Sequence, residues 1–85
     1  MKQKLLINVI VPVIESDYNI YIPNNKKMGT INKYILDSIQ ELSEGYFNET
    51  IEKGVFIDRD TGKEFHNDVY VKDSGIKNGS KIIII

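Results

Sequence analysis

The sequence predicts an α+β domain in which a mixed sheet of four or five strands packs on one face against one main helix. The apolar residues follow a strand pattern at the start of the chain, a helical period in residues 31–42, and strand patterns again afterwards. The sequence ends with KIIII, and after Lys81 its last four residues are all isoleucine, so both faces of a strand there are apolar, which is typical of a central strand. A length of 85 residues suits a single domain, residues 1–85, with one modest core.

The first two strands are predicted to form a hairpin. Residues 5–13 are rich in β-branched and apolar side chains, and Pro12 falls near their end, where a strand tolerates proline. Residues 18–22 alternate between an inward apolar set and an outward set that contains Asn19 and Tyr21. Glu15-Ser16-Asp17 is predicted to be the turn between the two strands.

The helix is predicted between a capping threonine and a glycine. Thr30 suits the N-cap position, and Gly45 is a natural terminator. Residues 46–53 show no clear period and are predicted to be a loop. The apolar residues that recur at helical spacing, and so define the buried face, are Ile31, Tyr34, Ile35, Ile39 and Leu42.

The rest of the chain completes the sheet. Residues 55–57 are predicted to form a third strand. A turn at Asp60-Thr61-Gly62 connects it to a short fourth strand around residues 64–66. Two further turns, at residues 73–75 and 78–79, lead into the last strand. The right-handed crossover rule then places that strand between the first and the third, which is the β-grasp arrangement.

Composition argues against several classes of function. The net charge is −1 with both signs interspersed, so nucleic acids and acidic membranes lack their usual electrostatic attraction. No cysteine is present, which excludes a disulfide framework and fits a cytoplasmic protein. The apolar run at residues 5–13 is interrupted by Asn8 and is too short to span a bilayer, so we expect a strand there and no membrane insertion.

No motif predicts a catalytic, cofactor-binding or metal-binding residue. Asp60-Thr61-Gly62 matches the aspartic-protease tripeptide, but Arg59 and Lys63 would keep the carboxylate ionised, and a β-turn is favoured. Residues 58–64 alternate like part of a calcium loop, but the glycine comes one place early and the twelfth position is Val69 instead of a glutamate. His66 is the sole histidine and has no cysteine nearby, so a metal site is not expected. We therefore predict a protein that is not an enzyme.

An apolar set on the sheet face opposite the helix is the candidate site. The first and last strands are neighbours in the predicted sheet, and both faces of these strands are rich in Leu, Ile and Val. The alternatives are that these residues are scattered on the surface, or that the register is shifted by one, which would exchange the two faces. The residues predicted to point outward, and to contact a protein partner or a second copy, are Leu6, Ile10, Phe56, Ile83 and Ile85.

The chain resembles ubiquitin-like proteins, and most of all the YukD (EsaB) family of small proteins associated with type VII secretion systems of Gram-positive bacteria. The resemblance is strongest in residues 71–84, VKDSGIKNGSKIII, which follow that family's ending. The second strand and the helix come in the corresponding order. Two departures are Ser80, where an aspartate is usual, and a longer connection over residues 23–29.

The resemblance implies an accessory or regulatory role through protein contact. Ubiquitin and the sulfur carriers use a flexible Gly-Gly tail, whereas this sequence ends within its last strand at Ile85, so we expect no conjugation. Phe56, Ile83 and Ile85 correspond to positions of the ubiquitin recognition patch. The expected partner is a membrane ATPase or another cytosolic component of the secretion machine. The alternative is a generic ubiquitin-like module, or a homo-oligomeric subunit, of another bacterial assembly.

Overall fold

The computed structural model describes residues 4–44 and 55–85. The predictions that concern Gly45 and the loop at residues 46–53 lie outside these ranges. Two short 3₁₀ turns, Pro12–Ile14 and Val71–Asp73, connect the main elements. Those elements are the strands β1 (Lys4–Val11), β2 (Ser16–Pro23), β3 (Phe56–Asp58) and β4 (Lys81–Ile84) and the helix α1 (Met28–Leu42).

The sheet has the predicted topology. Its strand order is β2-β1-β4-β3, so the last strand lies between the first and the third. β1 and β4 are parallel, while the β1–β2 and β3–β4 pairs are antiparallel. The expected short fourth strand near residues 64–66 is reduced to a single bridge between Ile57 and Glu64. The prediction of a mixed sheet of four or five strands with one helix packed on one face is confirmed, and the sheet has four strands.

The turn of the first hairpin lies earlier in the chain than predicted. Pro12 begins a 3₁₀ turn because its fixed φ suits a first helical position. Glu15 then adopts a left-handed conformation (φ 52°), and its N–H donates to the Pro12 carbonyl at 2.9 Å. β2 therefore begins at Ser16, opposite Val11, and not after Asp17.

The helix begins at Met28, two residues before the predicted N-cap, Thr30. No side chain caps it. Instead, the N–H of Met28 donates to the Val69 carbonyl at 2.8 Å, and that of Gly29 donates to the Asn67 carbonyl at 3.0 Å. The loop before β4 thus supplies the acceptors that the first turn of a helix needs, and a capping side chain becomes unnecessary.

The core lies between α1 and the inward face of the sheet. The helix contributes side chains with the expected spacing, but the structure corrects two of them: Tyr34 and Leu42 are 49% and 55% exposed. The buried apolar residues are Ile7, Val9, Val11, Ile20, Ile22, Met28, Ile31, Ile35, Ile39, Phe56, Val71, Ile76, Ile82 and Ile84.

The chain between the 3₁₀ turn at Val71–Asp73 and β4 is shaped by local hydrogen bonds. The Ser74 hydroxyl donates to the Val71 carbonyl at 2.6 Å and accepts from the Ile76 N–H at 3.2 Å. Gly75, at φ 89°, makes the sharp reversal that buries Ile76. The predicted turns at residues 73–75 and 78–79 are confirmed.

We expect Gly75→Val to lower the free energy of unfolding by about 1–2 kcal/mol, because a side chain disfavours the left-handed backbone there. A Cβ at this position meets no atom within 4 Å, so the cost comes from the backbone and not from a clash. Gly75→Asn should cost less, since asparagine tolerates this conformation better. Urea denaturation of both variants measures the difference, and equal losses would contradict a backbone origin.

Candidate functional site

The face of the sheet opposite the helix carries the candidate site. Side chains alternate between the two faces along a strand. Because Ile7, Val9 and Val11 are buried in the core, Leu6, Asn8 and Ile10 lie on the opposite face of β1. In β4, the buried Ile82 and Ile84 likewise leave Ile83 on that outer face.

Three isoleucines form a row across three strands of the outer face. Ile10 pairs with Ile83, and Ile83 pairs on its other side with Ile57. Directly opposed side chains in neighbouring strands are in contact distance, so the row is continuous. Ile85 continues this apolar surface beyond the strand, where it exchanges backbone hydrogen bonds of 3.0 and 3.1 Å with Val55 and is 59% exposed. We call Ile10, Ile57, Ile83 and Ile85 the isoleucine patch.

The structure corrects one residue of the predicted set. Phe56 is 2% exposed and lies in the core, because it pairs with the inward-facing Ile84. Its neighbour Ile57 points outward instead and joins the isoleucine patch. A signal for this existed in the sequence: Phe56 is the largest apolar side chain of its strand and removes the most apolar surface from water when it faces the core.

A polar row separates the isoleucine patch from the remaining predicted residue, Leu6. Asn8 pairs with Asn19 on one side and with Lys81 on the other. The Asn8 side-chain amide donates to Asp17 Oδ2 at 2.8 Å and to Asn19 Oδ1 at 3.1 Å, which fixes its orientation. The outer face therefore has a polar boundary and is not one continuous apolar strip.

Leu6 lies on the outer face, as predicted, but beyond this polar row. It pairs with Tyr21, which is 59% exposed. On its other side the Leu6 backbone bonds to the turn before β4: its N–H donates to Asn78 Oδ1 at 2.9 Å, and its carbonyl accepts from the Gly79 N–H at 2.8 Å. Leu6 and Tyr21 form a second, smaller apolar area.

A shallow concavity of about 350 Å³ opens beside the isoleucine patch. Ile10 and Pro12 supply part of its lining. Charged side chains of both signs also line it, Glu15 and Asp17 at the β2 side and Lys81 and Arg59 at the β4–β3 side. The neutral polar residues Asn8 and Ser16 complete the lining. An apolar surface flanked by charges of both signs suits a protein partner that has a mixed surface of its own.

The other motifs singled out in the sequence form turns. Asp58 Oδ1 accepts from the Asp60 N–H at 2.9 Å, and Gly62, at φ 74°, donates its N–H to the Asp58 carbonyl at 2.8 Å. The Asp-Thr-Gly tripeptide thus lies in a solvent-exposed turn, as expected, and the backbone hydrogen bond that closes it spans four residues instead of the three of a β-turn. In the part of the chain that the structure describes, no group of three or more His, Cys, Asp or Glu residues could hold a metal ion. No helix among residues 4–44 and 55–85 is long and apolar enough to cross a membrane.

Comparison with known proteins shows a likeness in structure. No protein-family model matches the sequence, and no curated protein matches it either. The ubiquitin-like domain of the Mycobacterium tuberculosis type VII secretion system protein EccD1 superimposes with a TM-score of 0.74 at 13% identity, covering 98% of each chain. The N-terminal ubiquitin-like domain of the 4931431F19Rik protein gives 0.69 at 16% identity, covering 100% of this chain and 76% of that one. The chain has the ubiquitin-like β-grasp fold.

Two assemblies contain chains with the same ubiquitin-like fold. A chain of the MycP5-free ESX-5 inner membrane complex matches with a TM-score of 0.75 at 12% identity. The match covers 98% of this protein but 21% of that chain. A chain of the toluene 4-monooxygenase HD complex with 4-bromobenzoate matches with 0.68 at 9% identity, covering 96% of each chain. At such identities the likeness concerns the fold alone, because one fold supports many different functions.

Proposed function

We propose that this protein is a single ubiquitin-like domain, of the YukD (EsaB) kind, that serves as a cytoplasmic accessory component of a Gram-positive type VII secretion system. In this proposal it acts by non-covalent protein contact and has no enzymatic activity. The contact surface is the isoleucine patch. The observation that carries the proposal is the row formed by Ile10, Ile83 and Ile57, which leaves apolar side chains of three strands on the open face of the sheet.

The energetics of this patch support a role in binding. Burial of a few hundred Å² of apolar surface contributes several kcal/mol at about 25 cal/mol/Å², before the cost of association is subtracted. The flanking charges determine the orientation of the bound partner, because a partner that places opposite charges against Asp17 and Arg59 docks in one register. A flat open face with these properties fits a protein surface better than a small substrate, which is usually bound in a deep pocket.

The secretion assignment has two supports of different kinds. The sequence of residues 71–84 resembles the ending of the YukD family. The fold is shared with the EccD1 domain and with a chain of the ESX-5 inner membrane complex. The proposed partner is the membrane ATPase of the machine or another of its cytosolic components. The second candidate is a ubiquitin-like subunit of another assembly, for which the fold shared with a chain of the monooxygenase complex is the supporting observation.

Genetic complementation in the native host tests this function. We expect deletion of the gene to abolish secretion through the type VII system of the host, and the wild-type gene to restore it. The double variant Ile57→Asp/Ile83→Lys should remain folded, because both side chains point away from the core, yet it should restore less than a tenth of the secretion. The matched control is Leu42→Asp, an equally drastic change on an exposed helix residue, which should restore secretion in full.

Two outcomes would contradict parts of the proposal. Normal secretion in the deletion strain would exclude the secretion role and favour another assembly. Full complementation by the double variant would show that the isoleucine patch is not the functional surface. Calorimetric titration of the purified protein with the cytosolic region of the secretion ATPase then shows whether that ATPase is the direct partner.

A further inference from the structure

The two edges of the sheet differ in how their backbone groups are satisfied. At one edge, β3 is covered by the chain that follows it. The Asp58 N–H donates to the Lys63 carbonyl at 2.9 Å, and the Phe65 N–H donates to the Phe56 carbonyl at 3.0 Å. A short strand with its outer side occupied is one of the ways in which proteins protect a sheet edge.

The other edge is formed by β2, and the hydrogen bonds of its neighbour show which groups it leaves open. In β1, the backbones of Leu6 and Asn8 bond toward the chain that leads into β4, so the odd-numbered residues of β1 bond toward β2. Their partners in β2 are the even-numbered residues, from Ser16 to Ile22. The N–H and C=O groups of Asp17, Asn19 and Tyr21 therefore point to the free side. Within residues 4–44 and 55–85, no hydrogen bond reaches these backbone groups.

This edge carries little of the usual protection against pairing with another strand, and Asp17 is its one charged residue. β2 is eight residues long, and its register with β1 is one-to-one from Ser16 to Pro23, so no bulge twists it away. It contains no lysine or arginine, its single proline is at the end, and none of its inward side chains is charged. A long, regular edge strand of this kind is a template for a further strand.

We propose that this edge pairs with the β2 strand of a second copy of the protein, antiparallel and with the two-fold axis at Asn19. In this register Asn19 is opposite the partner's Asn19, and Asp17 is opposite the partner's Tyr21. Asp17, Asn19 and Tyr21, whose backbone groups point to the free side, then all lie in hydrogen-bonded pairs, and each pair exchanges two backbone hydrogen bonds. A shift of the axis to Asp17 would place two carboxylates directly opposite each other, which is destabilising.

The occupant is a second copy because the strand is self-complementary in this register. No like charges are opposed, and Tyr21, which is 59% exposed, gains a cross-strand neighbour. The product is a continuous sheet built from the four strands of each copy, with both helices on one side. Both isoleucine patches then lie on the same outer face, with their β4 strands about 24 Å apart at ~4.8 Å per strand. A two-fold partner could bind both at once and gain avidity.

A proline placed on the free edge tests the pairing directly. Asn19→Pro removes an N–H that points away from β1, so it spares the β1–β2 ladder but blocks a new strand. The matched control, Asn19→Ala, removes the same side chain and keeps the N–H. We expect sedimentation equilibrium up to about 1 mM to show a weak dimer for the wild type and for Asn19→Ala, and a monomer for Asn19→Pro. Circular dichroism establishes that both variants are folded.

A charge pair at position 21 tests the register. Tyr21→Lys places a cation opposite the partner's Asp17 and should tighten the dimer a few-fold, whereas Tyr21→Asp should weaken it by a similar factor. Hydrogen exchange of the Asp17, Asn19 and Tyr21 amides should slow as the protein concentration rises. A wild-type protein that stays monomeric would overturn the proposal, even if a peptide or another protein protected these amides. A dimer that Asn19→Pro does not weaken would place the interface elsewhere and overturn it as well.

Discussion

Truncation of Phe56 to alanine is expected to destabilise the protein by about 3–5 kcal/mol, the usual cost of removing a buried aromatic side chain. Phe56 is 2% exposed and is among the largest fully buried side chains of the core. For a small domain with a total stability of about 5–15 kcal/mol, that loss leaves a substantial unfolded fraction. Urea denaturation followed by circular dichroism measures the change.

The matched control is the next residue in the same three-residue strand. Ile57 faces the opposite side of the sheet, so Ile57→Ala should cost about 1 kcal/mol or less, although it should weaken binding through the isoleucine patch. The comparison tests the register of β3 against β4 directly. If Ile57→Ala were the more destabilising of the two, the outward and inward faces of β3 would be exchanged and the isoleucine patch would have to be redrawn around Phe56.

The second large effect is expected at the centre of the helix. Ile35 has no exposed surface and lies in the core between α1 and the sheet. Ile35→Ala should reduce the free energy of unfolding by about 2–5 kcal/mol, because it removes buried methyl groups and leaves a cavity. The midpoint of urea unfolding should fall with little change in slope, since the same surface is exposed on unfolding.

The adjacent Tyr34 provides the control for this change. It is 49% exposed, although the sequence pattern assigned it to the buried face. Tyr34→Ala should cost about 1 kcal/mol or less. An unfolding midpoint that is unchanged in Ile35→Ala, or lower in Tyr34→Ala than in Ile35→Ala, would show that the helix packs with a different face.

The candidate site was only partly predictable from the sequence. Leu6 and Ile10 lie on the outer face as expected, because the eight-residue strand β1 alternates in burial and so defines its own two faces. Ile83 also lies on that face as expected, where it pairs with Ile10. The strand at Phe56–Asp58 has three residues and begins with consecutive apolar side chains, so alternation gives no preference between the two registers. The pairing of Phe56 with Ile84 determines that Phe56 faces the core, and this pairing joins residues far apart in the chain.

The start of the helix also could not be predicted from the sequence alone. Thr30 has the side chain that favours an N-cap, and local propensity alone selects it. The carbonyl groups of Asn67 and Val69 reach the first helical N–H groups from a loop that is distant in sequence, which lets the helix begin at Met28. A tertiary hydrogen bond satisfies the same donors as a capping side chain, so it can override that preference.

The sequence by itself determined the order of the elements, the central position of the last strand and the inward residues of the long strands. These follow from periodicity and from apolar side chains that have to leave water, and both are local properties of the chain. The tertiary structure alone decided the face of Phe56, the polar row that isolates Leu6 and the open edge of β2. Each of these depends on which strand lies beside which and in what register, and long-range backbone pairing determines that register.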